Sequence, residues 1–186
     1  QTPDPSQEAA APLDATFRDT VAGIALDYPS GWQLVELSDE QKASALVYTT
    51  TFGSWIAGPG GGEGIPDGES KVDLTVARNE ASTPEEAIRK RREQLTDPNS
   101  GTTLLSEEAV TLASGLEGAT FRVSSMFGEG VETVTSINGH LVIFSGLGDA
   151  ELLDQMLQTL RPLADAEAEE PYTVRATNVQ AVRVAE

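Results

Sequence analysis

The chain has 186 residues, a net charge of −18, an apolar fraction of 39% and no cysteine. That length supports one well-buried domain with tails rather than two domains, and the acidity argues against nucleic acid and anionic lipid surfaces as partners. Without cysteine there are no disulfides, thiolate nucleophiles or cysteine-based zinc sites, and no apolar run approaches the ~20 residues that span a bilayer as a helix.

Residues 1–15, QTPDPSQEAAAPLDA, are rich in Pro, Ala and acid and too poor in apolar side chains to fold. They read as a tether left after removal of a signal segment, or as an artificial boundary; the first reading implies a secreted or lipid-anchored protein. From residue 16 onward the pattern changes to strand-like alternation. Ile24, Leu26 and Tyr28 point one way and Ala25 and Asp27 the other, which predicts one half-buried strand through residues 16–28. Pro29-Ser30-Gly31 turns the chain, and a strand resumes with Trp32 and Leu34 on one face. Tyr28 and Trp32 flank that turn beside apolar neighbours, so both are assigned to the core rather than to a ligand platform.

A strand is predicted at 44–52, then the glycine-rich connector GSWIAGPGGGEGIPDGES over residues 53–70, then a strand at 71–78. Thr83-Pro84-Glu85-Glu86 opens a helix with a capping residue and proline at its first position. Its apolar stripe is narrow: Ala87, Ile88 and Leu95. Strands follow at 107–114, 117–127 and 130–137, and Asn138-Gly139 is a two-residue hairpin turn into HLVIFSGLG. Because residues 141–144 are continuously apolar, that returning strand should be central and covered on both faces, with Phe144 in the core. A second helix starts at Asp149, presents Leu152, Leu153, Met156, Leu157 and Leu160 on one face, and should carry Arg161 in its last turn with Pro162 as the stop. Leu157 belongs to its buried face. Two helices among antiparallel strands predict an α+β domain over residues 16–163 with a central antiparallel sheet flanked by helices. Residues 164–186 read as an acidic linker with an edge strand, or as the start of a further module.

Catalytic residue types are scarce. The one histidine, His140, follows the hairpin turn, where it should be a half-exposed strand residue, and no Gly-x-Ser-x-Gly pattern accompanies it. The adjacent acids Glu85-Glu86, Glu107-Glu108 and Glu169-Glu170 lie in polar stretches with no apolar pocket to raise a carboxyl pKa. The expectation is a protein that is not an enzyme and has no cofactor. In the glycine-rich connector no phosphate-binding spacing appears. Glu63, Asp67 and Glu69 are a weak calcium alternative, since their spacing misses the twelve-residue calcium loop. Trp55 and Ile56 with Gly58, Gly60, Gly61 and Gly62 form either a plain connector or a protein-binding loop, because connectors of this length often carry function. Arg89, Lys90, Arg91 and Arg92 invite an anion site, yet Glu85 and Glu86 stand four residues before Arg89 and Lys90, which predicts a salt-bridged, solvated helix.

The stretches GIALDYPSGWQL and NGHLVIFSGLGDAELLDQMLQTLRPL resemble the PsbP-like family, which shares its fold with the nuclear import factor Mog, over roughly residues 17–163. The resemblance implies a central antiparallel sheet in an α/β/α sandwich and an accessory or binding role. Many bacterial members are small exported lipoproteins. It implies an extracytoplasmic domain whose partner is another envelope or extracellular protein, and membrane contact only through an N-terminal lipid anchor. The alternative is a carrier or sensor of a small ligand or calcium. The family's ion-retention residues map onto nothing in this chain.

Overall fold

The computed structural model describes residues 11–56, 65–126 and 128–164. The first predicted strand is in fact two, β1 (Ala15–Asp19) and β2 (Ile24–Tyr28), paired antiparallel with Phe17 opposite Leu26. The break is made by Asp19, whose Oδ1 accepts the backbone N–H groups of Val21 and Ala22 at 3.0 and 3.1 Å. An aspartate that captures the amides two and three residues on closes a turn. Gly23 then leaves it at φ 67°, in the left-handed region that glycine enters without a Cβ penalty.

β3 (Gln33–Val35) leads into α1 (Asp39–Ser44), a helix not predicted from the sequence. Ser38 and Gln41 form a reciprocal capping box at its start. There follow β4 (Val47–Gly53), β5 (Lys71–Ala77), α2 (Pro84–Thr96), β6 (Thr102–Thr111), β7 (Glu117–Ser125), β8 (Gly128–Ile137), β9 (His140–Leu147), α3 (Ala150–Gln158) and β10 (Arg161–Pro162). α3 stops earlier than predicted. The N–H of Asp27 donates to Thr159 Oγ1 at 2.9 Å and Leu163 N–H donates to Gly23 O at 2.9 Å, so the chain leaves the helix to cover the open edge of β2. Arg161 therefore pairs with Ala25 in a strand instead of ending a helix, as the need to satisfy backbone groups of a buried edge requires.

Seven strands form one antiparallel sheet in the order β3-β4-β5-β9-β8-β7-β6, and three form a second, β1-β2-β10. Among the described residues 46% are in strands and 19% in helices, so sheet dominates. β9 lies in the middle of the large sheet and is buried on both faces. Leu141 and Ile143 join Phe121, Val134, Ala87 and Leu95 on one side. Val142 and Phe144 join Phe52, Leu74, Ile24, Leu26, Met156 and Leu160 on the other. α2 packs on the first face over β6, β7 and β8, while α3 and the small sheet cover the second face over β9 and its β5-side neighbours. Each face is thus covered across half its width, on opposite halves. Val35, Val47 and Thr49 are exposed on the α2 side, and Arg122 and Val131 on the α3 side.

Lys42 is 1% exposed although hydropathy would place it in solvent. Its Nζ contacts Glu36 Oε2 at 2.6 Å and stands 5.1 Å from the centroid of the Phe17 ring. A paired carboxylate and an aromatic face together replace the water that a buried ammonium loses.

Candidate binding groove

On the uncovered half of the α3 face, a groove of about 460 Å³ runs between α3 and strands β7, β8 and β9. Val131, Phe144, Leu147, Leu153 and Leu157 line it, with Arg122, Glu129 and Asp154 at its lips. Val131 is 48% and Leu147 52% exposed, so the groove is open and its apolar floor meets solvent. Strand period explains the mixture. Register puts Thr120 opposite Thr133 and Arg122 opposite Val131, all on one face, and the two threonine hydroxyls hydrogen-bond at 2.9 Å. Gly146 gives the floor its depth, because a Cβ there would lie 2.9 Å from Leu153 Cδ1. Across the mouth, Arg122 Nη2 donates to Glu129 Oε2 at 3.2 Å, with both side chains more than half exposed. Such a pair is screened and contributes little to stability.

The wall is fixed by the N-terminus of α3. Asp149 Oδ1 accepts the N–H groups of Glu151 and Leu152 at 2.9 and 3.2 Å, capping the helix. Asp149 N–H in turn donates to Ser70 Oγ at 2.9 Å. Ser70 N–H donates to Ser54 Oγ at 2.9 Å and Ser54 N–H to Ser70 O at 3.0 Å, which clasps the two ends of the glycine-rich connector. The base of that connector therefore abuts the groove's α3 end. Within the connector Trp55 and Ile56 are half-buried, Asp67 is exposed and Glu69 half-buried. Gly58, Gly60, Gly61, Gly62 and Glu63 lie outside the described residues. Among the described residues no three metal-ligating side chains come together.

His140 is not half-exposed: it is 7% exposed and its Nδ1 accepts the N–H of Asn79 at 3.0 Å. The β8–β9 turn is pressed inward because Asn138 Nδ2 donates to Ala22 O and Gly23 O, and Ala81 N–H donates to Gly139 O. Burial, then the nearby Arg78 charge, holds the imidazole pKa below its ordinary 6.5, with Asp19 opposing. Below pH 6.5 the unfolded chain therefore binds a proton that the folded one refuses. Stability is full above 6.5 and falls as pH drops from there toward the lowered folded pKa. Urea unfolding from pH 8 to 5 should show this loss in the parent, and a shallower loss in His140→Gln. Identical slopes would refute the coupling.

The bases of α2 find more partners than the predicted pairs. Arg89 contacts Glu93 at 2.8 Å rather than Glu85, and Lys90 contacts Glu80 at 2.9 Å and Glu86 at 3.7 Å. Arg91 holds Glu132 with Nε at 2.6 Å and Nη2 at 2.7 Å, and Arg92 grips Glu107. The hydrogen bonds from Arg92 hold the Glu107 carboxyl below the usual range. All four cations are engaged by acids.

No protein-family model and no curated protein matches the chain. Among solved structures it is similar to the solution structure of cyanobacterial PsbP from Synechocystis sp. PCC 6803, with 18% identity and a TM-score of 0.50, covering 80% of this chain and 91% of that one. The fold is PsbP-like. A structure of a mutant of the protein Mog1 aligns at 16% identity and TM-score 0.46, covering 82% of this chain and 97% of that one. A protein from Bacteroides thetaiotaomicron aligns at 16% identity and 0.44, covering 84% and 51%.

In this PsbP-like fold Phe144 and Leu157 are buried at 4% and 8% exposure, one on the sheet and one on α3. Tyr28 and Trp32 are half-buried and pack against the same cluster from its rim. Tyr28 lies 5.2 Å from the Phe52 ring, and Trp32 N–H donates to Pro29 O at 3.0 Å, closing the predicted turn. Of the groove residues, Phe144, Leu153 and Leu157 stand out in the sequence as apolar positions of the central strand and the second helix, and the others do not. On β7 the polar Thr120 and Arg122 alternate with the apolar Ala119, Phe121 and Val123, which marks a solvent face but not a groove.

Proposed function

We propose that this is a non-enzymatic, extracytoplasmic domain that binds another protein at the cell envelope, tethered by its N-terminal segment through a lipid. The observation that carries the binding role is the open apolar groove, with Val131 and Leu147 half in solvent and the clasped base of the connector against its α3 end. Exposed contiguous apolar surface on a strongly acidic chain marks an interaction site. No helix of the described residues is long and apolar enough to cross a membrane, which agrees with a tethered domain. The family resemblance supports an accessory role and an exported location. The half-buried Trp55 and Ile56 add an aromatic and an aliphatic anchor at the base of the connector.

The groove's volume also falls in the range of small-ligand sites, about 300 to 1,000 Å³, which favours the carrier reading as a second. A photo-crosslinking residue at position 131 separates the two. In envelope preparations of the source organism, position 131 should yield a protein adduct and position 47, exposed on the opposite face, should not. Adducts at both positions, or at neither, would overturn the groove as the binding site; an adduct of small-molecule mass would establish the carrier instead.

A further inference from the structure

We infer that the segment received by the groove is cationic: a short stretch of another protein in which apolar residues alternate with lysine or arginine. This rests on the groove being the protein-binding site. Glu108 is paired opposite Thr120, which is paired opposite Thr133, so Glu108 extends the same face outward from the groove floor. Glu129 stands on one lip and Asp154 on the other. Among the described residues the one cation lining the groove is Arg122, and Glu129 already engages it.

Asp154 decides the sign. Asp149 and Glu151 serve the α3 N-terminus, where acids complement the helix dipole. Asp154 stands beyond the first turn, and its polar contact is the neutral amide of Gln158 at 3.4 Å. Residues 149–158 contain no base. An occupant bringing a carboxylate to this wall would meet repulsion, while one bringing an ammonium or guanidinium would complete charges the chain leaves open. The net charge of −18 adds long-range attraction for such a segment.

The backbone of β7, β8 and β9 is paired on both sides, so recognition is through side chains rather than by strand addition. α3 is nine residues long, and at 1.5 Å per residue its wall is about 13 Å. About four extended residues fit that length.

The test uses fluorescence anisotropy with the full chain and three labelled octapeptides, alternating Leu-Lys, Leu-Ser and Leu-Glu. Leu-Lys should bind, Leu-Ser should bind at least about tenfold more weakly, and Leu-Glu should not bind, since each exposed charge pair is worth up to about fivefold and at least two act together. Replacing Glu108→Gln with Asp154→Asn should weaken Leu-Lys by about tenfold. Replacing Glu40→Gln with Glu85→Gln removes the same charge from exposed sites that do not line the groove and should change affinity less than about twofold. Equal losses in the two doubles, Leu-Ser binding as tightly as Leu-Lys, or no binding by any peptide would each overturn the cationic assignment. A protein adduct at position 131 would still stand in those cases, which keeps the groove itself separately decidable. Melting temperatures of both doubles within about two degrees of the parent exclude misfolding as the cause of any loss.

Discussion

Replacing Phe52 by alanine is expected to lower the unfolding free energy by about 3 to 5 kcal/mol, the range for emptying a large aromatic site in a packed core. Phe52 is 0% exposed. Its ring meets Phe17 edge-on at 5.2 Å and an interplanar angle of 84°, and meets Tyr28 at 5.2 Å and 59°. Phe17 belongs to the small sheet and Phe52 to the large one, so this contact binds the two sheets together. The backbone around it cannot close the gap, because Phe52 is held between Leu34 on β3 and Val72 on β5. Denaturant unfolding should show the loss in the midpoint with an unchanged slope. Phe52→Leu, which refills most of the volume, should recover more than half of it. A loss below about 1.5 kcal/mol in the alanine variant would mean that the sheets are not joined here. Trp32, half-buried at the rim, should cost less than Phe52 when truncated.

The second large effect is expected at Arg91 and Glu132. Glu132 is directly opposite Phe121 on the α2 face of the sheet and its side chain is 8% exposed, yet it carries a carboxylate held by both Nε and Nη2 of Arg91. Arg91→Met removes the guanidinium and leaves that acid without a cation in an apolar setting. The expected cost is about 3 kcal/mol, since breaking one side of a buried pair is penalised more than removing both. The double variant Arg91→Met with Glu132→Leu should therefore be more stable than Arg91→Met alone, which gives a coupling energy from a double-mutant cycle. If the double is no better than the single, the pair is not acting as a buried unit. Arg89, more than half exposed in its pair with Glu93, should show an effect within experimental error when changed to Gln.

Much of this was legible beforehand where local physics dominates. The continuous apolar residues 141–144 announced a strand covered on both faces, and β9 is that strand. Asn138-Gly139 announced the hairpin, and Asn138 sits at φ 53° as such turns demand. Thr83 and Pro84 announced the start of α2. What was missed depends on partners far along the chain. Asp19 looked like one polar position in an alternating strand, and its role in breaking that strand is local; but its Oδ2 also accepts the Tyr48 hydroxyl at 2.7 Å, 29 residues away. His140 is buried because Asn138 ties its turn to the β1–β2 turn and Asn79, after β5, donates to its ring, partners that lie far from it in sequence. α1 leaves little trace in the sequence although Ser38 and Gln41 stand at capping-box spacing, because a six-residue helix carries too little apolar periodicity to register. The groove could not be read from sequence at all. It exists because α3 and the small sheet cover half of one face, and that is a property of placement, not of composition.

The position of β9 between β5 and β8 has a consequence for how the chain reaches this structure. β6 to β9 form a meander of neighbours in sequence, so each pairing closes a short loop. β5 joins β9 across a gap of about seventy residues, with Leu74 beside Phe144. Non-local pairing of that kind makes folding slow, because the entropy of closing the loop is spent before the contacts repay it. The meander can form early with α2 upon it, while β3, β4 and β5 wait for the apolar edge of β9. A meander without β5, the small sheet and α3 would leave Val142 and Phe144 in solvent beside an unpaired strand edge, the combination that recruits other chains into aggregates. A polypeptide of charge −18 answers that hazard by mutual repulsion between copies during the interval in which it is most vulnerable.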